Sequence, residues 1–344
     1  MIILNLNKYE IYTLSSFSKI EINKNSPFYA RSFKEFLKFD DKNYIEAYDS
    51  FMDNGFLVRK GDEVNVAQEL EPAFLIFHRP DVMVSFKRLS NLNVINEYFC
   101  FKKDFALHYT VANGGLLHGL EYPHVLPSVG NWIRKDLFVG NKFEKEELFR
   151  YSIEITFDET ILLYIIMTIL KDRITNRNEG LENDELIIKL DDLVNYENFD
   201  DLVGFISDYM SKEELKIYVK NNPNFLKSID TLKLKNIIQF NNDEIILSEY
   251  AKKIFDPGKI IDSIIITEKA DNSLNVASVN VKTNGYVVIR SKITNDSELN
   301  YKLETYPPTT DIGDLMQNIA SIAFKGKFGD EELFNEKFIK KIEG

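Results

Sequence analysis

The sequence predicts an α+β fold with a two-fold internal duplication, each half a helical part followed by an antiparallel sheet. Three observations predict it. The stretch Asn54 to Ile133 recurs in diverged form at Asn236 to Ile319, with a winged-helix-like ribbon, a helix and four strand-like runs in the same order. Upstream, Leu4-Asn5-Leu6-Asn7-Lys8-Tyr9-Glu10 aligns without a gap on Ile153-Glu154-Ile155-Thr156-Phe157-Asp158-Glu159. Both copies then reach Tyr-Pro, at Tyr122-Pro123 and Tyr306-Pro307, where proline, which cannot donate to a ladder, is expected to stop the fourth strand before a closing helix.

The first half opens on a short strand. Asn7 is followed three positions later by Glu10, the spacing of a capping box that satisfies free amides at a helix start, so a helix is expected from Lys8 to Ser18. Ser26-Pro27 places a cap residue before proline and predicts a second helix to Phe39. Asp40-Asp41 opens a third, with Tyr44, Ala47, Tyr48 and Phe51 at helical spacing and Asn54-Gly55 as its stop. The ribbon follows: Phe56 to Arg59, a turn at Lys60-Gly61-Asp62, then Val64 to Val66. After a helix through Phe77, strands are expected at Val82–Leu89, Val94–Lys102, Phe105–Val111 and Leu116–Tyr122. Their period-two alternation, clearest in Phe105/Leu107/Tyr109/Val111, puts one face in a core. Val125 to Leu137 is the closing helix.

In the second half Thr156 and Glu159 repeat the capping-box spacing. The helix Asp158 to Arg173 is apolar nearly all round (Ile161, Leu162, Leu163, Ile165, Ile166, Ile169, Leu170) and is expected to be buried. A polar loop from Thr175 to Glu185 leads to helices at Phe199–Met210, Lys212–Lys220 and Phe225–Ile237. The ribbon recurs around Asn241-Asn242-Asp243, and strands are expected at Ile260–Glu268, Leu274–Lys282, Tyr286–Ile293 and Leu299–Thr305. Asn284-Gly285 predicts a type I′ hairpin turn. Helices at Asp311–Ala323 and Gly329–Glu343 close the chain. The copies are offset by 149 residues at the caps (Glu10, Glu159) and by 181 at the ribbons (Glu63, Glu244), so the second helical part carries about 32 extra residues. With only a short charged connection at Phe138 to Arg150, the halves 1–150 and 151–344 are expected to pack as one compact unit.

Composition narrows the class. The 344 residues are 44% hydrophobic and 13% aromatic, enough for a sizeable core, and the net charge of −12 argues against general affinity for nucleic acid or anionic membranes. Cys100 is the single cysteine, so no intrachain disulfide forms. The first residues lack the basic start of a signal peptide, and the apolar run Ile161 to Leu170 stops well short of the ~18 residues of a membrane span. A cytoplasmic protein without membrane insertion is expected. Three helices and a ribbon outline a winged helix, but the helix before the ribbon is acidic and only Arg59 and Lys60 on the ribbon are basic. DNA recognition is therefore disfavoured against a structural use.

Chemistry-bearing constellations are sparse. His108 and His118 are expected roughly opposite each other across the Asn113-Gly114-Gly115 turn. An exposed cross-strand pair is preferred to a metal site, because no acid or cysteine lies near in sequence to complete one. Gly114-Gly115-Leu116-Leu117-His118-Gly119 has the glycine spacing of a phosphate loop but lacks its Lys-Ser/Thr and its strand-to-helix setting. Asp191-Asp192 and Asp200-Asp201 read as solvated acids at helix starts in preference to a cation site. Cys100 reads as a small buried strand residue. No catalytic, cofactor or metal residue is assigned.

Taken together, the helices, ribbon, meander and closing helix of each half resemble the EspG family of type VII secretion chaperones. The likeness lies in the architecture and in local texture: Leu4 to Glu10 before a helix, Asn54-Gly55-Phe56-Leu57-Val58 at the ribbon, and Tyr-Pro at 123 and 307. It implies a non-enzymatic cytosolic protein with a pseudo-twofold central sheet flanked by helical bundles. Such a protein binds a secreted helical-hairpin partner and keeps it soluble for export. The sheet edge and the enlarged bundle at 183–236 are then the expected contact region, with Phe205, Tyr209, Tyr218 and Phe225 as candidate partner-binding residues. The competing expectations are a winged-helix regulator binding DNA or a ligand, and an enzyme built from scattered carboxylates with His108 and His118.

Overall fold

The computed structural model describes residues 2–29, 42–88, 96–102, 105–124, 148–175, 187–196, 211–255, 260–271, 273–293 and 300–320. The chain forms two compact units, Met1–Val139 with Ile266–Asn275 and Ile312–Gly344, and Gly140–Ile265 with Val276–Asp311. The fold is mixed α and β, with antiparallel sheet and helices in both. No helix of the described residues is long and apolar enough to cross a membrane.

In the first unit β1 (Ile2–Asn7) runs into α1 (Lys8–Phe17), and α2 (Lys42–Asp53) leads to the ribbon β2 (Leu57–Lys60) and β3 (Glu63–Val66). After α3 (Glu71–His78) come β4 (Val82–Arg88), β5 (Asn96–Lys102), β6 (Phe105–Ala112) and β7 (Leu117–His124), ordered β1-β7-β6-β5-β4 and antiparallel throughout. The capping box forms as spaced: Asn7 Oδ1 accepts from the Tyr9 and Glu10 amides, and Glu10 accepts from the Asn7 amide. One sheet face carries Leu4, Leu6, Leu120, Tyr109, Leu107, Cys100 and Met83. It packs with Ile11 and Leu14 of α1, Phe51 of α2, Phe74 and Phe77 of α3, and Phe28.

In the second unit β8 (Tyr151–Ile155) runs into α4 (Phe157–Thr175), followed by β9 (Ile187–Lys189), α5 (Leu190–Val194), α6 (Lys212–Asn221) and α7 (Pro223–Leu234). The ribbon β10 (Ile238–Asn241) and β11 (Glu244–Leu247) gains a third strand, because β9 pairs with β11, a pairing the sequence reading missed. Then follow α8 (Glu249–Phe255), β12 (Ile260–Ala270), β13 (Ser273–Lys282), β14 (Gly285–Ile293) and β15 (Asn300–Tyr306), with sheet order β12-β13-β14-β15-β8; the β12–β13 hairpin end, Ile266–Asn275, and α9 (Ile312–Ile319) group with the first unit. Ile161 to Ile166 of α4 are all buried, as an all-apolar helix requires.

The two ribbons are wired alike. Gly55 (φ 74°) and Asn236 (φ 56°) take the left-handed turn after α2 and α7, and the next residue donates back to the last helical turn, Phe56 N to Phe51 O and Ile237 N to Leu232 O. Ala67 N then donates to Phe56 O and Ser248 N to Ile237 O, closing each ribbon at the same spacing.

Several expectations need correction. Pro123 does not stop its strand: β7 runs on to His124, which pairs with Ala106. The ladder to β1 has already ended at Tyr122, so no β1 carbonyl waits for an amide at Pro123. Asn284-Gly285 is not a type I′ turn either, since of the two only Gly285 has positive φ (146°) and it begins β14. Glycine is required there by crowding: a Cβ would lie 2.4 Å from the Tyr306 carbonyl oxygen. The type I′ pattern occurs at Asn242-Asp243 of the second ribbon, where both φ values are positive. The helices expected at 27–39, 125–137, 199–210 and 329–343 and the loop 175–185 fall wholly or mostly outside the described residues.

Candidate functional site

The partner-binding candidates fall on the α6–α7 pair and on residues just before it. Phe205 and Tyr209 lie outside the described residues. Ser211 caps α6 with a full capping box, its hydroxyl accepting from the Glu214 amide and Glu214 Oε2 accepting from the Ser211 amide at 2.8 Å. The helix then directs Leu215 and Val219 inward and holds Tyr218 half-buried. Tyr218 donates its hydroxyl to Asp158 Oδ1 at 2.7 Å, and Asn222 Nδ2 donates to the same oxygen at 3.1 Å. The ring meets Phe157 edge-on. Burial, the Asp158 hydrogen bond and the Asp158 charge together push the phenol up to about 12. Tyr218 is thus a neutral donor tying α6 to the start of α4.

Phe225 is 2% exposed and packs inside the unit with other buried α7 residues, Ile229 and Leu232. The solvent face of the pair belongs instead to Ile217 (60% exposed), Leu226 (44%) and Leu234 (81%). Helical spacing could have found them. With Leu215, Tyr218 and Val219 facing inward at intervals of three and four, Ile217 falls off that face. Leu226 stands next to the inward Phe225 in the same way.

The histidines sit on opposite faces of the first unit's sheet and do not form a cross-strand pair. His108 is opposite Glu121, whereas His118 is opposite Val111. The single-turn helix Asn113–Gly115, with Asn113 and Gly115 at positive φ, and an irregularity between Ala106 and His108 displace the register from the simple hairpin count. His118 is buried, with Tyr109 Oη at 2.6 Å from Nδ1 and the Gly115 carbonyl at 3.0 Å from Nε2. The carbonyl can only accept, so Nε2 carries the proton and the tyrosine donates to Nδ1. His108 lies flat on Phe99, bonded through Nε2 to Glu97 and 3.7 Å from Glu121 through Nδ1. Its acids arrive from neighbouring strands, which sequence proximity could not reveal.

Burial raises the Cys100 thiol and keeps it protonated on the inner face. Asp192 pairs with Arg173 at 2.9 Å; Asp200 and Asp201 lie outside the described residues. No group of His, Cys, Asp and Glu able to hold a metal ion occurs among the described residues.

No family model and no curated protein matches the chain. Among solved structures it has a distant likeness to the Mycobacterium tuberculosis type VII secretion system chaperone EspG5, solved in complex with the PE25–PPE41 dimer. That likeness spans 94% of this chain and 96% of the other at 9% identity, with a TM-score of 0.45.

Proposed function

We propose that this protein is a non-enzymatic cytoplasmic chaperone or adaptor that binds a secreted helical protein of a type VII-like secretion system and keeps it soluble for export. The observation that carries the reading is the α6–α7 surface. This helix pair commits Leu215, Val219, Phe225, Ile229 and Leu232 to its own core and still presents Ile217, Leu226 and Leu234 to solvent. Exposed apolar side chains on a helix pair are what an amphipathic partner helix packs against, and covering them removes the cost of their exposure. The architecture read from the sequence points the same way.

The test is co-expression with the small helical secreted proteins of the same organism. Partner solubility and co-purification are measured with wild type, Ile217→Asp, Leu234→Asp and Phe225→Asp. The two exposed positions are expected to lose the partner while keeping the melting temperature; Phe225→Asp is expected to lower the melting temperature itself. A partner retained equally by both exposed-site variants overturns the proposed surface. Duplex DNA recovered in place of any secreted protein overturns the function.

A further inference from the structure

β1 and β8 hold corresponding places. Each leads into a capping-box helix, and each has one sheet neighbour among the described residues, β7 for β1 and β15 for β8. An edge strand offers backbone donors and acceptors to any extended chain, so proteins blunt edges with charges or cover them. The β8 edge is blunted: Lys235 Nζ donates to the Glu154 carbonyl at 2.9 Å and is anchored by the buried Glu159 carboxylate at 2.7 Å. The ribbon spacing that carries Gly55 to Asn236 carries Asn54 to Lys235. Asn54 is shorter and neutral, and its amide turns back onto α2, donating to the Ser50 carbonyl at 2.8 Å. Among the described residues Asn54 therefore supplies no counterpart on β1 to the lock on β8. The strand itself, Ile-Ile-Leu-Asn-Leu-Asn, contains no charge, proline or glycine, and Ile3 is 60% exposed.

We propose that the β1 edge accepts an added strand from another polypeptide, an extended segment of alternating apolar residues bearing a basic side chain. A second copy of this chain is the weaker occupant. Both copies carry a net charge of −12, which opposes their association. The basic residue follows from the register, which sets Ile3 opposite Glu121 and Asn5 opposite Gly119. A residue across from Ile3 on the added strand would stand two strand spacings, about 9.6 Å, from Glu121. A lysine or arginine laid over Ile3 spans that gap. Glu121 shares this face with Glu97, and His108, which meets both, offsets at most one of the two charges, so the face still favours a cation. This site shares no residue with the α6–α7 surface and does not depend on the function proposed for it.

The experiment uses the full chain with two fluorescent octapeptides, one alternating valine with lysine and threonine, the other with glutamate in place of lysine. Anisotropy reports binding, and amide hydrogen exchange reports where. The lysine peptide is expected to bind about tenfold more tightly than the glutamate peptide and to slow exchange in residues 2–7. Ile3→Lys is expected to abolish binding with an unchanged melting temperature. Glu121→Gln is expected to remove the preference for lysine while leaving some binding.

Absence of slowed exchange at 2–7, or equal binding of the two peptides, overturns the proposal. So does a concentration-dependent dimer in sedimentation that Ile3→Lys dissolves and the peptide does not compete with. Ile3→Lys is expected to keep its helical partner, so failure of partner capture by the wild-type protein counts against the α6–α7 reading and leaves the edge standing.

Discussion

His78 illustrates how one buried side chain sets a pH limit on the fold. Ser18 donates its hydroxyl hydrogen to the Ser15 carbonyl, so it can only accept from His78 Nδ1 at 3.1 Å, and the imidazole is held as the Nδ1–H tautomer. Nε2 is then left as a lone pair among the rings of Phe28, Phe74 and Phe77, where a second proton would have no acceptor. Burial accordingly lowers the imidazole to about 4, outweighing a backbone hydrogen bond with Ile20 that favours the charged form. A histidine whose folded pKa lies below its unfolded value binds fewer protons when folded. Its contribution is thus complete above the unfolded value near 6.5 and is lost as pH falls towards 4. Urea unfolding at pH 7.5 and at pH 5 is expected to differ by roughly 2 kcal/mol from this residue. His78→Gln is expected to flatten that part of the profile; an unchanged slope in the variant would show that the protons are taken up elsewhere.

At the scale of elements, Lys235 is the residue whose removal reaches furthest. It follows α7, caps a β8 carbonyl and neutralises Glu159, the third residue of the α4 capping box, which is wholly buried. Burial alone would raise the Glu159 carboxyl, but hydrogen bonds from Lys235 and the Thr156 amide, with the Lys235 charge, outweigh it and lower the pKa. That stability is present above the usual carboxyl value and lost as pH falls through the lowered one. Lys235→Met is expected to cost roughly 3 kcal/mol, because it strands a buried carboxylate, and to promote aggregation through the uncovered β8 edge. Adding Glu159→Gln is expected to recover most of the loss, since glutamine still completes a capping box. Denaturant midpoints of the single and double variants decide it, and a double variant no better than the single would exclude the stranded charge as the cause.

The same elements mark how far sequence could be read. Asn7/Glu10 and Thr156/Glu159 were legible because a cap is a contact between residues three apart, and strand bounds followed from alternation. The β9–β11 pairing, the Lys235 reach to Glu154 and the Glu97–His108 contact were not, because they depend on register and on chain crossings that spacing does not encode.

For the whole molecule, the question is what its charge permits. Duplex DNA is bound first through phosphates, and each contact requires a lysine or arginine that releases a counterion. The net charge of −12 opposes this at long range, so a DNA-binding reading needs a local basic face on one of the helix–ribbon units. α2 carries Glu46, Asp49 and Asp53 against a single Lys42, which pairs with Glu46, and its ribbon sets Glu63 opposite Lys60. α7 and its flank are richer in lysine, but Lys235 is bound to Glu159 and Lys233 reaches the Phe240 carbonyl at 3.3 Å. The ribbon itself sets Glu244 opposite Asn241. Among the described residues neither helix–ribbon pair assembles the cation stripe that a phosphate backbone demands. Gel-shift titration with a duplex of mixed sequence is therefore expected to give no complex at ~0.15 M salt, where even non-specific binders reach 10⁻⁴–10⁻⁶ M. Lowering the salt should bring little change, since few counterions would be displaced. A saturable complex that weakens steeply with added salt would locate a basic face and return the ribbons to a nucleic-acid role.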